Sequence, residues 1–203
     1  MRLPNSVQQA HPWMISRIAP DFDLLDVWAL PVEGGPDEFD AFVDGIVVSF
    51  DPVETGSVIS RALFWLRLRV GGWLGWDDAT KERPIPGSTE TTLSARLPED
   101  LRGSAKSPEV GDRLRQAAFV PLYRTHNEWA AEVANETVHG VLHFAWVDQG
   151  SDRYRAQMAI YVKPRGRLGG LYMRLIGPFR HLIVYPALMK AIGDAWEARS
   201  VTH

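Results

Sequence analysis

Four segments in the second half of the chain, "AAFVPLYRT", "EWAAEVA", "TVHGVLHFAWV" and "YRAQMAIYVK", restrict its fold more than any other feature. They are rich in β-branched and aromatic residues, and only short polar breaks such as "HN", "NE" and "DQGSD" separate them. Such breaks leave no room for crossover helices, so consecutive antiparallel strands are predicted. In the last segment Tyr154, Ala156, Met158, Ile160 and Val162 alternate with Arg155, Gln157, Tyr161 and Lys163. That alternation predicts one buried face and one wet face. The buried face needs a helix to cover it.

The stretch from Leu168 to Arg199 fits that need, because Leu168, Leu171, Tyr172, Leu175, Phe179, Leu182 and Met189 fall on one side at about 100° per residue. Within "GPFRHLIVYPALM", Pro178 and Pro186 each delete a backbone donor, so the rod is expected to bend and follow a curved sheet. Arg174, Arg180, His181 and Lys190 oppose a membrane span in the same region.

Upstream, "FDLLDVWALP" sets Phe22, Leu24, Trp28 and Leu30 on one side of a first strand, with Asp26 breaking the row. A short helix is expected in "GGPDEFDAFVDGI", where Pro36 suits a first helical position and acids fill the first turn. A second helix is delimited in "DPVETGSVISRALFWLRLRVGG" by Asp51 as N-cap and by Gly71 and Gly72. Its apolar stripe, Ile59, Leu63, Leu66 and Val70, is extended by Val58, Ala62 and Trp65 and interrupted by Arg61, Arg67 and Arg69. Residues 76–111 read as a loop-rich connector with one strand around Thr91 to Leu97, and the 21 N-terminal residues as partly extended. The outcome is an α+β chain of 203 residues, read as a single domain spanning 1–203.

No cysteine occurs, which excludes disulfides, iron–sulfur clusters, thiolate zinc and a cysteine nucleophile. No apolar stretch at the start leads to a cleavage site, so a cytoplasmic location is expected. Net charge is −3, but Arg153 to Arg199 holds nine Lys or Arg against Asp194 and Glu197. The simplest reading is two parts of one fold whose opposite charges meet, and no nucleic-acid partner is expected.

The segments "LRLRVGGWLGWDD", "RLPEDLRGSA", "ETVHGVLHFAWV" and "MAIYVKPRGRLGGLYMRLIGPFRHLIVYPALMKAIGDAW" together resemble a bacterial family known only as domain of unknown function 2867. The resemblance covers about His11 to Trp196 and is most specific at its C-terminal end. It implies a START-like (SRPBCC) helix-grip fold, in which a curved antiparallel sheet wraps a long C-terminal helix and a cavity opens between them. It also implies that similar domains occur attached to nucleotide-binding oxidoreductases. Neither G-x-G-x-x-G nor a Walker loop is present here, and no cofactor is expected. With no activity established for the family, it carries over no catalytic residue.

The residues offer three constellations. His139 and His143 are four apart, but on a strand that spacing is about 13 Å, too far to share a metal ion. They are expected on the outer face or beneath a partner, while Leu142, Phe144 and Trp146 form the likelier inner wall. Asp26, in an apolar row, needs a cation, and Arg61 and Arg180 are the first partners to test. His181 and Tyr185, with Arg180 beside them, could orient a polar group, although an unbroken helix would point His181 to solvent. No G-x-S-x-G elbow or H-E-x-x-H zinc site accompanies them.

These observations point to a small hydrophobic, aromatic or acyl ligand held between the sheet and the C-terminal helix. The expected lining is Asp26, Trp28, Arg61, Trp65, Leu142, Phe144, Trp146, Met158, Ile160, Phe179, Arg180, Leu182 and Tyr185. The alternatives are a cyclase, dehydratase or isomerase using Asp26, His181 or Tyr185 for proton transfer, and an interaction module. The latter would work with an oxidoreductase, a second copy of the chain or an anionic membrane surface, without being an integral membrane protein.

Overall fold

The computed structural model describes residues 1–49, 84–105, 119–134, 138–165 and 185–200. Its centre is a six-stranded, wholly antiparallel sheet in the spatial order β1-β2-β6-β5-β4-β3. The strands are β1 (Arg2–Leu3), β2 (Asp23–Gly34), β3 (Val120–Arg124), β4 (Glu128–Ala134), β5 (Val138–Asp148) and β6 (Tyr154–Pro164). Strands β3 to β6 are the four segments predicted above, and each pairs with its sequence neighbour. The β5–β6 break turns tightly, because Gly150, Ser151 and Asp152 all take positive φ (83°, 56° and 56°) and the Asp148 carboxylate accepts the Gly150 N–H at 2.7 Å. Pro121 lies in β3, at one edge of the sheet, where a missing donor breaks no inner ladder.

One face of the sheet is covered by α3 (Phe39–Ser49) and α4 (Tyr185–Ser200). As predicted, Pro36 opens the first of these elements, in a 3-10 turn whose Glu38 carboxylate accepts the Gly35 N–H at 2.7 Å. Phe39, Phe42, Val43 and Ile46 then recur at helical spacing and are all buried against the sheet. In α4 the inward positions are Tyr185, Leu188 and Ile192, with Met189 and Trp196 partly buried beside them. Gly193 lets this helix approach β2, since a Cβ there would sit 3.1 Å from the Pro31 ring. The helix at 51–72, Pro178 and the chain leading into Pro186 lie outside the described residues.

The opposite face is not wet. Two short helices, α1 (Asn5–Gln9) and α2 (Met14–Ile18), and the 84–105 segment bury it beneath Trp13, Ile15, Ile18, Ile85, Leu93 and Leu97. Gln157, Ala159 and Tyr161 are therefore interior, contrary to the one-sided reading of β6. The alternation in sequence was real; the polar residues at those positions are buried by partners that single-strand patterning does not reveal. The N-terminal 21 residues are correspondingly more helical than extended.

Two further expectations are corrected. Phe22 and Leu24 do not share a face with Trp28 and Leu30. Leu24 pairs with Tyr161 and Asp26 with Ile160, so β2 has one extra residue there, a β-bulge that reverses the side-chain phase. Phe22 consequently joins the second core, with Ile15 and Val27, while Leu30 and Val32 join the first. The Thr91–Leu97 strand is instead a 3-10 turn, Leu93–Arg96, started by the Thr92 hydroxyl, which accepts the Ser94 N–H at 3.2 Å.

Candidate functional site

Among the described residues, each face of the sheet carries a buried polar cluster. On the face covered by α3 and α4 it is Asp26, 1% exposed. Alternation puts this residue on the same side as Trp28, opposite Ile160 on β6, and the bulge sets both on the side away from Leu24. Tyr185, at the start of the described part of α4, donates its hydroxyl to Asp26 Oδ2 at 3.0 Å. Arg2 of β1 reaches Oδ1 at 3.2 Å. The Trp28 and Tyr185 rings lie 5.0 Å apart and tilted by 54°. A carboxylate beside two aromatic rings, with a phenolic donor on one oxygen, can hold a cation or exchange a proton.

The rest of this face divides into two. Phe144 and Trp146, on β5, lie under α3 and α4: Phe42 stacks on Trp146 at 5.5 Å and meets Phe144 edge-on at 5.7 Å, and Trp196 meets Trp146 at 6.2 Å. Trp146 also donates to the Gly35 carbonyl at 2.8 Å. This half is filled by side chains. Towards Asp26, Trp28 and Ile160 are only partly buried, and Leu142 and Met158 form the floor between the halves.

On the opposite face, β4 and β5 carry a duplicated motif. Glu128 and Glu132 point to the same side as His139 and His143, and each Glu meets the His lying diagonally across the strand pair. His143 Nε2 is 3.1 Å from Glu128 Oε2, and His139 Nε2 is 2.9 Å from Glu132 Oε2. Glu128 also accepts the Met14 N–H at 3.0 Å on each oxygen and the Tyr123 hydroxyl at 2.9 Å. A carboxylate can only accept, so His143 carries its proton on Nε2 and its Nδ1 accepts from the Gln8 amide at 3.2 Å. Gln8 further donates to Tyr161 at 2.9 Å and accepts from Gln157 at 2.6 Å. Glu132 accepts the Leu93 N–H at 3.0 Å and the Thr92 hydroxyl. His139 Nδ1 is left without a hydrogen-bond partner, its ring edge-on to Phe22 at 5.1 Å.

Charge and burial oppose each other at Glu128. Burial pushes its carboxyl up, yet the hydrogen bond from His143, with those from Met14 and Tyr123, leaves it below the ordinary carboxylate value. Burial, reinforced by the Glu128 charge, pushes the Tyr123 phenol well up, and burial raises Tyr161 too. All of these groups are enclosed, so the network reads as a clamp between the sheet and the N-terminal segment.

A family model described as "Protein of unknown function (DUF2867)" matches residues 18–187, most of the chain. The chain belongs to this family. No curated protein and no solved structure is similar enough to count as a match. Among the described residues no helix is long and apolar enough to cross a membrane, and no group of three or more His, Asp or Glu could hold a metal ion.

Of the residues proposed from sequence, Asp26, Trp28, Leu142, Phe144, Trp146, Met158, Ile160 and Tyr185 come together on one face, where Phe144 and Trp146 are sealed by aromatic neighbours. Arg61, Trp65, Phe179, Arg180, His181 and Leu182 lie outside the described residues. The described cationic partner of Asp26 is Arg2, which sequence reading did not consider. The histidines do lie on the face opposite Leu142, Phe144 and Trp146, but that face is not an outer surface: both are 0% exposed beneath the chain's own N-terminal part. Sequence reading also missed Glu128 and Glu132. Their four-residue spacing, matched by that of His139 and His143 on the following strand, was the available signal.

Proposed function

We propose that this chain binds a small apolar or aromatic molecule on the α4 side of its sheet, at the end where Asp26, Trp28, Leu142, Ile160 and Tyr185 meet. The observation that carries the reading is Asp26: a carboxylate 1% exposed, set among apolar side chains and receiving a tyrosine hydroxyl at 3.0 Å. Burying such a group is costly unless it is paired, and the described cation that pairs with it, Arg2, reaches it from solvent. Trp28 and Ile160, only partly buried, offer the adjoining apolar surface. In this reading the sheet and C-terminal helix form a START-like helix grip, with Arg61, Trp65, Phe179, Arg180 and Leu182 completing the wall.

Native mass spectrometry of the purified protein, paired with solvent extraction, tests the proposal. A retained small molecule is expected, and Trp28→Ala should reduce its occupancy at unchanged fold. A bare-chain mass, together with no displacement of a hydrophobic fluorophore by aromatic or acyl compounds, would refute it.

The Tyr185–Asp26 hydrogen bond favours one second reading, proton transfer on the bound molecule, since a phenol and a carboxylate in contact can pass a proton between them. Tyr185→Phe would then abolish conversion while leaving binding in place.

A further inference from the structure

The chemistry around Asp26 narrows the ligand class, an inference that rests on the binding reading above. The ion pair with Arg2 is lopsided: the acid side chain is 1% exposed and the arginine side chain 56% exposed. The acid is fixed inside the fold, whereas the guanidinium reaches it from solvent. Arg2 belongs to β1, a strand of only two residues on the outer edge of the sheet. Beside the carboxylate lie the Trp28 and Tyr185 rings, 5.0 Å apart. A buried negative charge next to π faces is the combination that selects a compact cation. An anionic head would meet the Asp26 charge directly, and a neutral head could not replace the charge that Arg2 brings.

From this we infer that Arg2 occupies the place of a ligand's cationic head, and that the site takes a primary amine carried on an aromatic or alkyl body. The ammonium replaces the guanidinium at Asp26 while the body lies against Trp28 and Ile160. The displacement is local, because the chain is anchored immediately after β1. Asn5 Nδ2 donates to the Leu24 carbonyl at 2.7 Å, and Gln8 is held by Gln157 and Tyr161. Met1 and Ala29 exchange two further hydrogen bonds, both 2.9 Å, so the backbone of β1 stays in place and only the Arg2 side chain has to swing out. Arg2 therefore competes with the ligand, and the apparent affinity is lowered by the fraction of molecules in which it is seated.

Three probes of similar body and different charge test this by calorimetry on the full chain: phenethylamine, phenethyl alcohol and phenylacetate. The amine is expected to bind at least about tenfold tighter than the other two. Arg2→Gln, a change at a solvent-reaching side chain, should tighten amine binding several-fold, and Asp26→Asn should remove the preference. The urea midpoint and circular dichroism of Asp26→Asn are read beside its binding, and if that variant does not fold, the Arg2→Gln result alone decides the assignment. If the alcohol or the acid binds as well as the amine, or if Arg2→Gln leaves amine affinity unchanged or weaker, the cation assignment falls while ligand binding stands. If none of the three binds and native spectra show the bare chain, the binding reading fails and the assignment with it.

Discussion

The two faces of the sheet bury polar groups in different ways. On the N-terminal side two Glu–His pairs are repeated along β4 and β5, and Gln8, Gln157, Tyr123, Tyr161 and the backbone of α2 supply donors from within the fold. On the α4 side Asp26 takes a tyrosine hydroxyl from the interior and a guanidinium that extends in from solvent. A polar cluster matched internally behaves as structure, because its carboxylates, amides and phenols, His139 Nδ1 apart, already have counterparts within the fold. One that takes a cation from the surface is open to exchange, since the guanidinium can return to water provided another cation replaces it at the buried carboxylate.

The largest expected effect tests whether the filled half of the α4 side is solid core. Phe42→Ala removes the ring packed on Phe144 and Trp146 and should cost about 3–5 kcal/mol in urea unfolding, while leaving probe binding near Asp26 intact. Loss of binding at unchanged stability would reverse the assignment of the two halves. Next is Glu128→Ala, which strips the acceptor from Met14, Tyr123 and His143 and should cost about 2–3 kcal/mol. A loss too small to measure would mean that apolar packing alone secures the N-terminal segment.

The smallest effect is in pH. Because the Glu128 carboxyl is held below its ordinary 4.5, its stabilisation is fully present above that value and drains away as pH falls through the lowered folded value. Wild-type urea midpoints should therefore fall on acidification. Glu128→Gln should show a shallower fall, and an identical slope would assign the acid response to other carboxylates. Asp21 is one, lowered chiefly by its hydrogen bond from Arg96 and further by that from Lys163.

Strands β3 to β6 and the start of α3 were legible because alternation, short breaks and Pro36 are local signals. What was hidden depends on distant partners. The burial of Gln157 and Tyr161 follows from Gln8, 149 and 153 positions away, and the seating of Asp26 follows from Arg2 and Tyr185. Thr91–Leu97 was misread because β-rich composition was weighed without the Thr92 cap and the Glu132 carboxylate that captures Leu93. At the candidate site, the aromatic and aliphatic members could be chosen by face once the strands were assigned. The charge partner could not, since nothing local to "MRLPN" signals that it closes on β2.

The bulge at Leu25 makes the architecture sensitive to a count of one. Excising that residue would remove the phase reversal at that point, and everything on one flank of it would turn over relative to the other. Either Asp26 and Trp28 would swing beneath the histidines, or Phe22 would leave them. In a wider sense, an additional backbone unit at that point is what sends successive apolar stretches of one ribbon into unlike interiors, and gene variants that shorten it there should be expected to scramble both at once.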